Sequence, residues 1–203
     1  METKINPEHY ARAIELWKEW NGKINVISRR DTDSIFEHHI LHSLAIAKYL
    51  ELYPTRPVQT VLDLGCGGGF PGIPLALEWP EVQFTLCDSI GKKVRVAQAV
   101  ADGLGLKNVE CVNARVESLQ GQWDWVVSRA VTSLENFYPW VKGRYRNSIL
   151  YLKGGDIDAE IAALQRKFHI PGANIRTWRI DSWLKDEYFA EKYVIEISRS
   201  DLR

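Results

Sequence analysis

The stretch that decides the fold is Val61-Leu-Asp-Leu-Gly-Cys-Gly-Gly-Gly-Phe-Pro-Gly-Ile-Pro74, in which a short apolar run breaks into glycines and then becomes apolar again. This pattern is typical of a buried parallel strand that turns into a helix over a bound nucleotide-like ligand. Glycine suits such a turn because it reaches positive φ and lets the backbone approach the ligand. The stretch therefore predicts an α/β domain with a ligand site at this turn.

The spacing of the glycines selects among ligands. The dinucleotide fingerprint G-x-G-x-x-G/A requires glycine or alanine at position 70, where this chain has Phe70. A G-x-G-x-G pattern formed by Gly65, Gly67 and Gly69 fits without exception, and it is typical of S-adenosylmethionine (AdoMet) methyltransferases. A glycine-rich turn that holds no ligand is the alternative interpretation.

The composition is that of an ordinary globular protein. With 203 residues, 45% hydrophobic and 26% charged, the chain is long enough for one α/β domain with an appendage. It has no run of about 18 apolar residues and no signal-peptide pattern, so we expect a cytoplasmic protein without a membrane partner. The 26 basic and 26 acidic residues balance, which gives no support for indiscriminate nucleic-acid binding. The three cysteines share no metal-ligand spacing, so we expect buried thiols and no metal.

The chain divides into a helical appendage at 1–57 and a Rossmann-like domain at 58–203, which we expect to pack as one compact unit. The appendage has a predicted helix at 7–20 and a second from about Ser34 to Leu52. From residue 58 onward, apolar strands alternate with helices. The predicted strands are 58–63, 82–87, 109–112, 124–128, 148–152, 174–180 and 192–198, and the predicted helices lie near 73–78, 91–103, 134–143 and 157–166. This order predicts a seven-stranded, mostly parallel, doubly wound sheet with an antiparallel final strand.

In such a sheet the ligand lies across the carboxyl ends of the strands, so the residues that follow the strands are the candidate site. Asp88 ends the second predicted strand, where a carboxylate accepts hydrogen bonds from ribose hydroxyls; a helix cap is the alternative. Glu117 follows the third strand, where AdoMet enzymes hold adenine, although a solvated charge fits equally well. Arg129 follows the fourth strand and would hold either the substrate or the methionine carboxylate of the cofactor, a surface salt bridge being the alternative.

The sequence after the fourth strand lacks the motifs of two other kinds of nucleic-acid methylation. Val126-Val-Ser-Arg-Ala130 lacks the Asn/Asp-Pro-Pro-aromatic run that enzymes methylating exocyclic amines commonly carry there, and no cysteine lies nearby to attack a pyrimidine ring. A ring nitrogen with a free lone pair, such as N7 of guanine, needs no general base. The protein then has to align that lone pair about 3 Å from the methyl carbon and exclude water. No catalytic residue is assigned beyond Arg129 as a positioning candidate.

With these residues in view, the chain resembles the RsmG/GidB family of 16S ribosomal RNA (guanine-N7) methyltransferases over nearly its whole length. The segments that carry the resemblance are Trp20-Asn-Gly-Lys-Ile-Asn25 with Arg29, His39-Ile-Leu-His-Ser43, Asp63–Pro74, Asp88-Ser-Ile-Gly-Lys-Lys93, Arg115-Val-Glu117, Ser128-Arg-Ala130 and Lys153-Gly154. The resemblance implies methyl transfer from AdoMet to N7 of one guanine in a loop of small-subunit rRNA. Together with the glycine pattern and the strand ends, it gives a predicted cofactor set of Gly65, Gly67, Phe70, Asp88, Val116, Glu117 and Arg129.

A candidate RNA face gathers basic residues at or near the carboxyl edge of the predicted sheet, together with one histidine that matches the family: Arg29, Arg30, Lys92, Lys93, Lys153 and His39. Phosphate contacts from such residues would position the RNA and weaken with salt, and a solvated charge is the alternative for each. Many members of the family have Asp where this chain has His42, which leaves a polar role for His42 open. No oligomer is required.

Two other classes of function stay open. An AdoMet enzyme of this fold could act on a small molecule or a protein, since the balanced charge does not require RNA. A non-catalytic RNA-binding module or a nicotinamide enzyme forms the third class, and Phe70 at the third fingerprint position disfavours the nicotinamide enzyme.

Overall fold

A seven-stranded sheet forms the centre of the protein, for which a computed structural model describes residues 5–54 and 56–199. The strands follow the order β3-β2-β1-β4-β5-β7-β6, and β7 runs antiparallel to both of its neighbours, β5 and β6. Their bounds are β1 Thr60–Leu64, β2 Gln83–Asp88, β3 Val109–Asn113, β4 Trp123–Arg129, β5 Tyr145–Gly154, β6 Ile175–Arg179 and β7 Lys192–Ser198. The predicted doubly wound fold with an antiparallel final strand is confirmed.

Six α-helices accompany the sheet in the described residues: α1 Ala11–Asn21, α2 His42–Leu52, α3 Gly72–Glu78, α4 Gly91–Gly103, α5 Leu134–Val141 and α6 Ile157–Phe168. Helix α5 ends two residues before its predicted end because Lys142, with ψ of 122°, leaves the helical conformation and a turn follows, in which Gly143 has a φ of 80° and the Arg144 amide donates to the Val141 carbonyl. Helices α3 and α4 match their predicted positions closely, since both follow directly from buried strands. The alternation of strand and helix brings the carboxyl ends of β1 to β4 to one edge of the sheet.

The appendage packs on the sheet through a shared apolar core. Trp17 of α1 and Tyr49 of α2 are fully buried in the same cluster as Phe70 and Val61 of the sheet domain. Tyr49 also donates a hydrogen bond of 2.8 Å to the buried Glu196 on β7. The division of the chain at residue 57 stays a prediction, and the two sides of it share one core.

The predicted continuous helix from Ser34 to Leu52 is wrong in its first part. A 3₁₀ turn at Arg29–Ser34 leads into a π-helix at Ile35–Leu41, and only then does α2 begin. Apolar spacing in a sequence does not specify whether backbone bonds run to the fourth or the fifth residue, and tertiary contacts decide between them. The wider turn lies where the appendage faces the carboxyl edge of the sheet.

Two of the three thiols are buried, as predicted. Cys66 and Cys87 are free and buried, whereas Cys111 is partly exposed. Within residues 5–54 and 56–199 no helix is long and apolar enough to cross a membrane.

Candidate active site

A cavity of about 480 Å³ opens at the carboxyl ends of β1, β2 and β4 and is closed on one side by the loop after β3. Strand order reverses between β1 and β4, so the cavity lies at the switch point where ligands of such sheets bind. Six of the predicted site residues line it: Gly65, Asp88, Lys93, Val116, Glu117 and Arg129.

The glycine turn has the conformation that its spacing indicates. Gly65, Gly67 and Gly69 have φ values of 74°, 54° and 105°, which residues other than glycine rarely adopt. A Cβ on Gly65 would lie 2.5 Å from Cγ2 of Val131, so this position is also sterically closed. A Cβ on Gly67 would meet nothing within 4 Å, which leaves the front of the turn open to an approaching group.

Asp88 connects the end of β2 to this turn. Its Oδ2 accepts a hydrogen bond of 3.0 Å from the Gly67 amide, and its Oδ1 accepts one of 2.9 Å from the Ile90 amide. The side chain is almost fully buried, with 8% of the residue exposed. A carboxylate oxygen has two acceptor directions, so each oxygen can take one further donor. The ribose role and the cap-like role proposed from the sequence are therefore compatible in one residue.

The loop after β3 supplies an apolar and a polar side chain next to each other. Val116 is buried, and Glu117 is exposed without a hydrogen bond or ion pair in the described part of the chain. Trp140 on α5 lines the cavity as well, although no pattern in the sequence predicts it there. An aromatic residue in an apolar helix resembles a core position, and no signal in the sequence separates Trp140 from Phe137, which is fully buried one turn earlier.

Arg129, the last residue of β4, contacts side chains from two other parts of the chain. Its Nη2 lies 3.0 Å from Nδ1 of His39, and its Cζ lies 5.0 Å from the ring centroid of Phe70. The next residue, Ala130, takes a left-handed φ of 47°, and its amide donates to the Leu152 carbonyl at 3.0 Å. Arg129 forms no ion pair within residues 5–54 and 56–199, so the predicted alternative of a surface salt bridge does not describe it. Burial lowers the pKa of Arg129, and a guanidinium nevertheless remains charged.

Phe70 and Gly67 do not line the cavity. The ring of Phe70 is 4% exposed and stacks on Trp17 with ring centroids 4.2 Å apart. The indole of Trp17 donates a hydrogen bond of 2.8 Å to the Gly68 carbonyl, which ties the glycine turn to the appendage. The side chain of Phe70 thus lies in the core behind the turn, and its predicted contact with the cofactor stays a prediction.

Three histidines of the appendage differ in environment. His38 bonds Oδ1 of Asp31 at 3.0 Å and stacks on Tyr188, with ring centroids 3.7 Å apart. Burial lowers the pKa of His39 to about 3, and the charge of Arg129 acts in the same direction. Burial also lowers the pKa of His42 well below its ordinary value, against a backbone contact with His38 that raises it, and neither ring nitrogen is hydrogen-bonded to a side chain of the described residues.

Only some of the basic residues of the predicted RNA face are exposed to solvent. Arg29, Arg30 and Lys92 are exposed, and Lys93 reaches the cavity wall. Lys153 instead lies 3.0 Å from Oε1 of Glu160 and donates to a backbone carbonyl, so its charge is paired inside the protein. No three His, Cys, Asp or Glu side chains within the described ranges come together as a metal-binding group.

The arrangement fits a zwitterionic nucleoside ligand. Asp88 keeps free acceptor directions for hydroxyl groups, and Val116 and Trp140 offer apolar surface for a base. Arg129 brings a positive charge that no carboxylate of the described residues neutralises, which suits a carboxylate on the ligand. AdoMet carries all three of these groups.

Solved structures of other proteins have the same fold. The magnesium protoporphyrin IX methyltransferase of Synechocystis with bound SAM covers 98% of this chain and 100% of its own, with a TM-score of 0.66 and 16% identity. The plantazolicin methyltransferase BpumL in complex with SAH covers 95% and 97%, with a TM-score of 0.61 and 12% identity. At these identities the likeness shows the fold, a Rossmann-like fold that both of these methyltransferases have.

The particular family follows from closer relatives. The family model for rRNA small subunit methyltransferase G (GidB) matches residues 7–179, and the chain belongs to this family. The ribosomal RNA small subunit methyltransferase G of Flavobacterium johnsoniae is 43% identical and covers 96% of this chain and 92% of its own length. The protein of the same name from Christiangramia forsetii is 44% identical, with 92% and 87% covered. The resemblance found in the sequence is confirmed.

Proposed function

We propose that this protein transfers the methyl group of AdoMet to N7 of a guanine in a loop of 16S rRNA, in the cytoplasm. The observation that carries the proposal is the cavity at the switch point, where the glycine turn, Asp88 and Arg129 come together in a chain of the GidB family. The relatives are named for the RNA of the small subunit, which supports this RNA as the substrate.

The residues that would hold the cofactor divide by chemistry. Asp88 would accept from the ribose hydroxyls, while Val116 and Glu117 would contact the adenosine end. Gly65 would let the backbone approach, and Arg129 would bind the methionine carboxylate by charge-assisted hydrogen bonds. AdoMet supplies a methyl group on a positively charged sulfur when it is bound.

The protein contributes alignment and the exclusion of water. N7 of guanine carries a lone pair in the plane of the ring, so no proton has to be removed before it attacks a methyl group. Consistent with this, the carboxylates that line the cavity, Asp88 and Glu117, are accounted for by the nucleoside part of the cofactor. Catalysis then depends on holding N7 of guanine in line with the methyl group and the sulfur of AdoMet, and such alignment can supply a large part of the rate enhancement.

Exposed cations of the predicted RNA face would position the RNA. Arg29, Arg30 and Lys92 remain free to meet phosphates, while Lys153 is paired with Glu160 and is the weakest candidate of the predicted face. The target base would be read by its edge and by stacking once it leaves its loop. Because phosphate contacts release counterions, binding of ribosomal RNA should weaken steeply with salt.

The test is the modification itself. Small-subunit rRNA from cells that lack the protein should lose one 7-methylguanosine, measured by nuclease digestion and mass spectrometry, and the purified protein with AdoMet should restore it. Undiminished 7-methylguanosine would refute the proposal. The alternative, an enzyme for a small molecule or a protein, predicts RNA binding without a steep salt slope, which a titration of affinity against salt distinguishes.

A further inference from the structure

Two side chains from different parts of the chain hold the Arg129 guanidinium in place. His39 approaches from the π-helix, with its Nδ1 3.0 Å from Nη2 of Arg129. Phe70 lies against the guanidinium at 5.0 Å, and the rings of His39 and Phe70 are themselves 5.0 Å apart. The three groups contact one another in a closed triangle, of which Arg129 lines the cavity.

The direction of the hydrogen bond fixes the form of His39. A guanidinium only donates hydrogen bonds, so Nδ1 must accept and the ring proton resides on Nε2. Nε2 is buried and has no partner in the described ranges of the chain. Burying an N–H without a partner is unfavourable, and the bond to Arg129 is the one polar contact of the ring that the structure records.

The surroundings keep His39 neutral. The charged and titratable groups that act on it are Arg129, Asp31 and His38, and burial together with Arg129 lowers its pKa to about 3. Residue 42, one turn further along, is another neutral histidine. A neutral acceptor orients the guanidinium without cancelling its charge, whereas a carboxylate in the same place would form an ion pair with it. The positive charge of Arg129 therefore remains available to an anion in the cavity.

We infer that His39 is a positioning residue, whose neutral imidazole holds the Arg129 guanidinium against Phe70 and directs it at the carboxylate of the ligand in the cavity. This inference rests on the proposed function, in which Arg129 binds the methionine carboxylate of AdoMet. It gives the appendage a direct part in the cofactor site. It also gives His39 a role other than contact with RNA phosphate, for which a neutral ring provides no charge.

Two substitutions separate positioning from packing. His39→Leu fills the space but removes the acceptor, whereas His39→Asn places an amide oxygen close to the position of Nδ1. His42→Leu is the matched control, since it removes a buried histidine of the same segment that makes no side-chain hydrogen bond among the described residues. Binding is measured by calorimetry with two probes: S-adenosylhomocysteine, which has the carboxylate, and 5′-methylthioadenosine, which lacks it.

We expect His39→Leu to weaken S-adenosylhomocysteine about tenfold, the usual value of one charge-assisted hydrogen bond, and to leave methylthioadenosine within about twofold. His39→Asn should restore most of the loss, and His42→Leu should change neither probe by more than about twofold. An equal loss for both probes, or no loss for either, would overturn the inference. A wild-type protein that binds neither probe would contradict the proposed function instead.

The tautomer provides a test that does not depend on any variant folding. Nitrogen-15 NMR of the wild-type protein should show His39 with a proton on Nε2 and an unprotonated Nδ1 from pH 7.5 down to 5.0. A proton on Nδ1, or a charged imidazolium in this range, would exclude the bond from Arg129 and with it the positioning role.

Discussion

Replacing Asp88 by asparagine keeps the shape of the side chain and removes its negative charge at the end of β2. In the structure both carboxylate oxygens already accept backbone amides, Gly67 at 3.0 Å and Ile90 at 2.9 Å. An asparagine oxygen can keep one of these bonds, and its amino group then faces the other N–H, donor against donor. The substitution should therefore affect both the ligand and the glycine turn.

The magnitude follows from the bond that is lost. The asparagine oxygen can still accept one ribose hydroxyl, so one hydrogen bond to a charged acceptor disappears, which contributes about 1.5–3 kcal/mol of cofactor binding. We therefore expect Asp88→Asn to weaken AdoMet about 10- to 150-fold. The unsatisfied Gly67 amide should in addition cost about 1–3 kcal/mol of unfolding free energy. Calorimetry with AdoMet measures the first quantity, and urea unfolding without ligand measures the second.

A matched control shows whether the effect belongs to this position. Asp102 is an exposed aspartate on α4 that accepts a bond of 2.8 Å from Gln98 and does not line the cavity. Asp102→Asn should leave AdoMet affinity within about twofold, since a surface contact of this kind contributes little. If Asp88→Asn bound AdoMet as tightly as the control, the ribose would have to lie elsewhere and the reasoning would fail.

Two further predictions concern the glycine turn and the buried histidine. Gly65→Ala should weaken AdoMet binding strongly and lower the unfolding free energy by about 1–2 kcal/mol or more, since residue 65 has a left-handed φ and its Cβ would collide with Val131. Gly67→Ala has a left-handed φ but open space around its Cβ, so it should cost only the strain of the backbone conformation. Urea unfolding and calorimetry with AdoMet compare the two variants. His39 should lower the unfolding free energy of the wild type by about 2 kcal/mol between pH 7.5 and 5.0. In the unfolded chain His39 takes up a proton near pH 6.5, whereas folded His39, with a pKa of about 3, stays neutral. His39→Asn should abolish this contribution. Urea unfolding of both proteins at the two pH values tests this, and the comparison cancels Asp63, whose raised pKa of about 7 acts in the opposite direction.

The sequence predicts the sheet well because each strand is a short apolar run with a turn after it. Asp88 and Glu117 could be predicted because each follows a strand, and the carboxyl ends of the parallel strands lie together at the edge of the sheet where the cavity opens. Trp140 could not be found this way, since it comes from a helix and its neighbours are core residues. The π-helix was missed for a different reason, because it depends on backbone bonds and tertiary contacts that periodicity does not record.

The appendage takes part in the site, and this bears on how the protein divides into units. Trp17 satisfies the carbonyl of Gly68 inside the glycine turn, and His39 holds Arg129 at the end of β4. Without residues 1–57, a carbonyl in the turn would lose its buried donor, Arg129 would lose its acceptor, and the core that the sheet shares with Trp17 would be opened. A boundary at residue 57 thus divides contacts that support the glycine turn and Arg129. If Arg129 binds the cofactor as proposed, AdoMet binding will need the residues on both sides of that boundary.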